Sequence, residues 1–205
     1  MRDISLGGLT PPASLVRAIA AETSLPLRVM VRENAGYGTD AAELVPMCRA
    51  AARFAEIGVG GLVVGFARQG RLLLDELREI LDAAPELAAT FHRAFDSLSD
   101  PSSAIDALAE VPQVDRILSD GVERRAGIAR GDARRDRCAR LREYSERAGE
   151  RLTIIAGSDV DEAMLAGIAL TRCVREVHVG RAARDGDRES PVTAARVRRL
   201  REVLS

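Results

Sequence analysis

Short apolar segments alternate with segments of helical pattern along most of the chain, and this alternation constrains the fold more than any other feature. The apolar segments occupy residues 27–31, 61–66, 88–92, 114–118, 152–156 and 175–179. Segments that are apolar throughout are typical of parallel strands buried on both faces. An open doubly wound sheet and a (β/α) barrel both fit this alternation, so the sequence predicts an α/β fold.

The ends of two predicted helices carry capping signals. Thr10 precedes two prolines, a pattern that predicts an N-cap with proline in the first turn of the helix. Asp40 and Glu43 have the spacing of a capping box. The helix that follows Asp40 is expected to run to about Ile57 and to stop at Gly58.

The composition fits one soluble domain spanning residues 1–205, with 46% hydrophobic and 30% charged residues. The net charge of −1 gives no reason to expect nucleic acid or an acidic membrane surface as a partner. No apolar run approaches the roughly 18 residues that a membrane span requires. The first residues lack a signal-peptide core, and a cytoplasmic location is expected.

Cysteine and lysine usage excludes several kinds of site. The three cysteines, Cys48, Cys138 and Cys173, are an odd number without a CxxC pair, so they predict neither a disulfide framework nor a thiolate metal site. Cys48 has a core-facing pattern within its helix, whereas Met47 is expected to point elsewhere. The chain contains no lysine, which excludes a lysine Schiff base, a pyridoxal-phosphate lysine and a Walker lysine.

Polar residues recur at or near the carboxyl ends of the predicted strands, where (β/α) barrels place catalytic and binding groups. They are Arg32, His92, Ser119, Gly157 and His178. No GxGxxG pattern follows any strand, so no nucleotide cofactor is indicated.

The segment from Thr90 to Asp96 places an imidazole, a guanidinium and a carboxylate within seven residues, so it is the first candidate for a functional site. His92 has three alternative roles there: general acid or base, metal ligand, or hydrogen-bonded structural residue. Asp96 is a catalytic candidate beside it. Its alternative role is structural, as a partner of Arg93 or of loop N–H groups.

Five segments resemble the CutC family, in the order in which that family has them. They are residues 7–11 (GGLTP), 29–32 (VMVR), 90–96 (TFHRAFD), 115–118 (DRIL) and 175–178 (REVH). The resemblance covers nearly the whole chain. It implies a TIM-barrel fold, a cytoplasmic location, oligomeric assembly and a link to copper homeostasis.

The chain also departs from the pattern it resembles. Only six residues precede Gly7, whereas the family begins with a further strand and helix, so the first β/α unit is missing and this is a short, divergent member. We therefore predict an incomplete barrel of six or seven strands with an unpaired edge at residues 27–31 or 175–179. That edge predicts a homo-oligomer, with a dimer favoured, or a start codon upstream of Met1.

Two kinds of ligand suit the predicted barrel mouth. His92 and His178 are the candidate metal ligands, and copper is the metal that the resemblance implies. The candidate ligand-binding residues for a small anion are Arg32, Arg93, Ser119, Gly157 and Arg181. Ser158 and Asp159 are best interpreted as helix caps. The arginine-rich residues 122–137 are predicted to form an exposed surface loop or insertion rather than an RNA site.

Three interpretations of function remain open on the sequence. The first is a CutC-like cytoplasmic protein that binds copper. The second is an enzyme that uses His92 as acid or base while Arg32 or Arg93 holds an anionic group. The third is a degenerate paralogue with a structural or assembly role.

Overall fold

The computed structural model describes residues 8–122, 136–184 and 190–204. The chain divides into two compact units, Met1–Arg116 and Ile117–Ser205. Most of the arginine-rich segment, residues 123–135, lies outside the described residues, as does Gly7.

The first unit is built on parallel strands. These are β1 (Arg28–Met30), β2 (Gly61–Val64), β5 (Ala88–Phe91) and the first half of β6 (Val114–Ser119), with a short antiparallel hairpin of β3 (Ala67–Arg68) and β4 (Arg71–Leu72). β2 lies between β1 and β5, and both pairings are parallel. Leu62 therefore stands opposite Val29 on one side and Ala89 on the other, so apolar residues fill the centre of this unit.

Four helices accompany these strands: Ala13–Glu22, Ala41–Ile57, Leu74–Asp82 and Pro101–Ala109. Asp40 caps the second helix by accepting the backbone N–H groups of Ala42 and Glu43 at 2.9 and 3.0 Å. Gly58 ends it with a left-handed φ of 82°. Both ends were predicted from the sequence and are confirmed.

The predicted cap at Thr10 is wrong. The first helix begins at Ala13, and its N-cap residue, Pro12, makes no side-chain cap hydrogen bond. The Thr10 hydroxyl instead bonds to the backbone of Arg32, so this threonine organises the end of β1 rather than the start of a helix.

The second unit holds the end of β6, then β7 (Thr153–Ala156) and β8 (Glu176–Val177). β7 and β8 pair in parallel. Its helices are Arg137–Ala148, Glu162–Thr171 and Ala194–Leu204. The helix cap predicted at Ser158 and Asp159 is wrong, because Asp161 occupies the N-cap position and accepts the N–H of Met164 at 2.8 Å.

The predicted fold class is confirmed as α/β and TIM-barrel-like. The described residues contain six strands of one sheet, in the order β1, β2, β5, β6, β7, β8, fewer than the eight of a complete barrel. The β3–β4 hairpin was not predicted, since strands of two residues leave no periodic signal. Among the described residues, no helix has both the length and the apolar character needed to cross a membrane.

Candidate functional site

Arg32 follows β1 and is held by its backbone and its side chain. Its backbone N–H donates to the Thr10 hydroxyl at 2.8 Å, and that hydroxyl donates to the Arg32 carbonyl at 2.9 Å. The guanidinium donates to the carbonyls of Ala35 and Gly36. Arg32 is 8% exposed, and burial lowers its pKa. The charge is thus fixed in place below the surface.

The loop after Arg32 is closed by Asn34 and carries Tyr37. The Asn34 amide donates to the Gly38 carbonyl at 3.1 Å and to both carboxylate oxygens of Glu43. The Tyr37 ring lies under the Arg32 guanidinium, 5.2 Å from its central carbon. The Tyr37 ring centroid is also 5.6 Å from that of His92.

His92 follows β5 and is 3% exposed. Its backbone N–H donates to the Val64 carbonyl at 3.0 Å, which continues the β2–β5 pairing by one residue. Its Nδ1 accepts the N–H of Ala94 at 3.1 Å, so the imidazole caps the 3₁₀ helix Arg93–Ser97. Gly65 makes room for the ring, since a Cβ there would lie 3.0 Å from Nδ1.

This cap determines the tautomer of His92. A backbone N–H can only donate, so Nδ1 must present its lone pair to Ala94 and the ring proton resides on Nε2. Among the described residues, Nε2 is the buried side-chain nitrogen or oxygen that lacks a hydrogen-bond partner. An unsatisfied buried donor costs about 1–3 kcal/mol, which marks this atom as one that a ligand would satisfy.

The imidazole stays neutral over the physiological pH range. Burial, followed by the positive charge of Arg32, lowers the pKa of His92 to about 3, and Arg93 contributes in the same direction. Nε2 is therefore a neutral hydrogen-bond donor beside fixed positive charge. That environment favours an anionic or carbonyl-type acceptor over a cation.

Arg93 and Asp96 form an ion pair next to this histidine. Arg93 Nε donates to Asp96 Oδ2 at 3.0 Å, and the Asp96 side chain is only 5% exposed. The sequence left this pairing as one of two roles for Asp96. The observed bond supports the structural role, and the Arg93 side chain is 35% exposed.

In the second unit, Ser119 and Gly157 lie at the ends of β6 and β7. Ser119 is 1% exposed, and its hydroxyl accepts the Gly121 N–H at 3.1 Å. Gly157 donates its N–H to the Ser119 carbonyl at 2.8 Å. A Cβ on Gly157 would come within 2.5 Å of Leu118, so glycine is required by close packing. Both residues thus have structural roles within this unit.

Arg137 fastens these strand ends. It is 6% exposed, and it donates to the carbonyls of Asp120 at 2.7 Å, Gly157 at 3.0 Å and Ser158 at 2.9 Å. The expectation that residues 122–137 lie at the surface is wrong for Arg137. Arg137 is the first residue of its helix, and the arginine-rich composition of the segment gave no signal that this side chain would be buried.

The remaining candidates in the second unit are Arg181 and His178. Arg181 forms an ion pair with Asp159, so its charge is partly neutralised. The His178 backbone N–H donates to the Ala156 carbonyl at 2.8 Å, and the residue as a whole is exposed. Its imidazole is nevertheless partly desolvated by its surroundings, which lowers the pKa of His178.

The donor sets do not favour a metal at His92. Metal ligation by Nε2 requires a lone pair on that atom, whereas the Ala94 cap places a proton there. Across residues 8–122, 136–184 and 190–204, no group of three or more histidine, cysteine or carboxylate side chains has a metal-binding arrangement. The candidate metal ligands His92 and His178 belong to different units.

The fold and site together define an α/β, TIM-barrel-like protein with a buried imidazole–guanidinium site at its strand ends. The model of the CutC family matches residues 2–183. The chain is 31% identical to the family protein CutC of Xanthomonas campestris pv. campestris strain B100 over 175 residues, 84% of this chain and 69% of that protein. It is 34% identical to the family protein CutC of Caulobacter vibrioides strain NA1000 / CB15N over 177 residues, 85% of this chain and 68% of that protein. The chain belongs to the CutC family.

A solved structure supports the fold independently. The crystal structure of a Streptococcus agalactiae protein, described as a candidate copper homeostasis protein CutC, superposes with a TM-score of 0.75 at 23% sequence identity. The match covers 86% of this chain and 84% of that chain. At this identity the likeness concerns the fold.

The sequence identified Arg32 and His92, and in the structure the positive charge of Arg32 lowers the pKa of His92. It assigned Thr10 to a helix cap instead of to the backbone of Arg32, and it did not single out Tyr37. Thr10 lay within the GGLTP segment, and Tyr37 lay in a loop without periodicity. The only available signal was their place within or beside the segments that resemble the family.

Proposed function

We propose that the first unit binds a small anionic ligand, which accepts a hydrogen bond from Nε2 of His92 and is attracted by Arg32. The observation that carries this proposal is the buried Nε2–H without a partner among the described residues. A ligand oxygen at that atom removes the cost of the unsatisfied donor.

The charges around His92 support an anion. The Arg32 guanidinium is positive, lies below the surface and is held by loop carbonyls rather than by a carboxylate. Fixed positive charge in a low-dielectric setting interacts strongly with a bound anion. Tyr37 lies beside both groups, and because Nε2 is buried, a ligand reaches it only when the surrounding side chains, Tyr37 among them, move.

The same geometry favours binding over proton transfer. A general acid or base works best with a pKa near the operating pH. The pKa of His92 is about 3 and its Nδ1 is occupied by the Ala94 N–H. We therefore assign His92 the role of hydrogen-bond donor, and we propose no reaction.

Ligand-induced thermal stabilisation tests the proposal, with inorganic phosphate, sulfate and acetate as probes at constant ionic strength. We expect a saturable rise in Tm with at least one of them. His92→Asn should abolish the rise, because asparagine can still accept the Ala94 N–H as an N-cap but places no donor at the position of Nε2. His178→Asn is the matched control and should retain it.

Two outcomes would contradict the proposal. One is a Tm that responds to all three anions no differently from sodium chloride. The other is a saturable response of equal size in the His92→Asn protein. A protein with neither an anion response nor metal uptake would instead fit a structural or assembly role.

Copper handling is the second candidate. It is supported by the description of the Streptococcus agalactiae structure and by the family to which the chain belongs. The imidazole of His178 suits copper better than the capped imidazole of His92. Stoichiometric Cu(I) uptake by the reduced protein that survives His92→Asn but is lost in His178→Asn would support it. Absence of uptake at equimolar copper would count against it.

We further propose a cytoplasmic homodimer. Leu15 and Ile19 lie one helical turn apart on the helix Ala13–Glu22, and each is 43% exposed. This spacing places both on one face, which is typical of a helix that packs against a partner. Light scattering should give twice the monomer mass for the native protein and the monomer mass for a Leu15→Glu, Ile19→Glu variant. A native monomer would contradict the proposal.

A further inference from the structure

The second unit contains a groove with an apolar wall and two arginines, which we call the basic groove. It lies between the end of the helix Glu162–Thr171, the start of β8 and the end of the helix Ala194–Leu204. Its volume is about 210 Å³. The side chains that matter for binding are the apolar ones of Ile168, Val174, Val177 and Leu204 and the charged ones of Arg172 and Arg175.

The apolar wall of the basic groove is partly open to solvent. Ile168 and Val174 are 3% and 8% exposed, but Leu204, at the end of its helix, is 37% exposed. Covering such apolar surface with an apolar ligand is favourable. An apolar cavity of about 150 Å³ holds benzene, so the basic groove accommodates a chain of roughly six carbon atoms.

Arg172 and Arg175 bring two positive charges to the basic groove. Among the described residues, neither guanidinium has a hydrogen-bond or ion-pair partner, and no acidic residue lines the groove. Other arginines of this unit are paired, since Arg199 binds Glu162 and Arg181 binds Asp159. The two guanidiniums are therefore available to a carboxylate, whose geometry matches their donors.

The backbone at Arg172 has a conformation that favours glycine. Arg172 ends the helix Glu162–Thr171 with φ 50° and ψ 36°, and its N–H donates to the Ile168 carbonyl at 2.7 Å. This left-handed position is usually occupied by glycine, because a Cβ is strained there. An arginine at a strained position is a candidate for a functional role.

We propose that the basic groove binds a small carboxylate with an unbranched apolar tail. Arg172 and Arg175 hold the carboxylate, and the tail packs against the apolar wall. An inorganic anion would leave that wall uncovered, and an uncharged apolar molecule would leave both guanidiniums without a partner. The basic groove belongs to the second unit, so it is separate from the anion site proposed at His92 in the first.

Isothermal titration calorimetry with hexanoate tests the proposal on the whole chain carrying His92→Asn. This substitution removes the anion site proposed in the first unit, so the two proposals can fail independently. Hexanoate should bind more tightly than either acetate, which lacks the tail, or hexan-1-ol, which lacks the charge. From butanoate to hexanoate, the Kd should fall roughly fourfold for each added CH₂ group.

Substitution of the two arginines tests the role of charge. The double variant Arg172→Gln, Arg175→Gln should raise the Kd for hexanoate about tenfold or more. The matched control is Arg17→Gln, Arg49→Gln, which removes the same charge from two exposed positions in the first unit and should leave the Kd unchanged.

Arg172→Gly separates lost binding from lost folding. Glycine suits the left-handed backbone, so this variant should keep or raise the Tm of the ligand-free protein and still bind hexanoate more weakly. The proposal would be overturned by hexanoate binding no tighter than acetate, by a Kd that does not depend on tail length, or by equal affinities in the Arg172→Gln, Arg175→Gln protein and its control.

Discussion

Each unit contains a buried side chain with nitrogen donors, and the two side chains differ in whether those donors have hydrogen-bond partners. In the second unit, Arg137 donates to three backbone carbonyls and so ties the ends of β6 and β7 to a helix start. In the first unit, His92 uses Nδ1 to cap a 3₁₀ helix but leaves Nε2 buried without a partner among the described residues.

This difference in hydrogen bonding indicates different roles for the two side chains. A buried guanidinium that donates to three nearby backbone carbonyls is explained by folding, because those carbonyls would otherwise be unsatisfied. A buried donor left over after such bonding lowers stability, and under the proposed function a ligand would accept a hydrogen bond from it. The comparison thus makes Arg137 a stabilising residue and makes His92 the residue at which binding is to be tested.

The pH dependence of stability should show the largest effect. The pKa of His92 is about 3 in the folded protein and about 6.5 when unfolded. Its contribution to the free energy of unfolding is complete above pH 6.5 and is lost as the pH falls toward 3, because the unfolded state binds the proton first. The slope is about 1.4 kcal/mol per pH unit, or about 5 kcal/mol over the whole interval.

Urea unfolding of the native protein and of His92→Asn between pH 7 and pH 4 measures this contribution. The native protein should lose stability more steeply than the variant, with the acidic groups common to both cancelling. Equal slopes of stability against pH would show that folding does not lower the pKa of His92, and would contradict the difference drawn between His92 and Arg137.

Arg137→Met should give the next largest effect. Methionine fills similar volume but leaves the carbonyls of Asp120, Gly157 and Ser158 without this donor, so we expect a loss of about 3 kcal/mol in the free energy of unfolding. Urea titration at pH 7 measures it. Arg175→Met, at an exposed position, is the control and should change stability by less than about 0.5 kcal/mol.

Arg32→Met should cost less, about 2 kcal/mol, because two loop carbonyls and a stacked ring are involved rather than three carbonyls at strand ends. It should also raise the pKa of His92, since the Arg32 charge contributes to lowering it. Urea unfolding measures the first effect, and imidazole NMR titration measures the second. An unchanged His92 titration would show that the two groups are not coupled.

Thr10→Val should have the smallest effect. It removes the hydroxyl that accepts from the Arg32 N–H, at a cost of about 1 kcal/mol, while the Thr10 backbone N–H still donates to the Arg32 carbonyl. Urea titration of this variant beside Thr10→Ser tests the claim. If serine, which keeps the hydroxyl, proved as costly as valine, the hydroxyl bond would not be what positions Arg32.

The sequence predicted the alternation of strands and helices because it depends on local periodicity. β2 and β5 were predicted to within two residues, and the helix Ala41–Ile57 was predicted at both ends. The interior of that helix was less well predicted. Met47 is 1% exposed, whereas Cys48, which was expected to face the core, is partly exposed. Consecutive residues lie about 100° apart around a helix, so a phase error of one residue is enough to exchange a buried position for a partly exposed one.

Site residues were predicted only where they lie at the end of a predicted strand, because that position can be inferred from the sequence. Arg32 and His92 were found for that reason. Tyr37 was missed, and Thr10 was wrongly assigned to a helix cap, because their roles depend on contacts with residues distant in the sequence.

The cap that His92 places on Arg93–Ser97 also determines how its Nε2 proton exchanges with solvent. The tautomer cannot change while the Ala94 N–H donates to Nδ1, and Nε2 itself is inaccessible to water. Exchange of this proton therefore requires the segment to open. Its imidazole N–H resonance should persist in water, and its exchange rate would report the opening frequency of this segment.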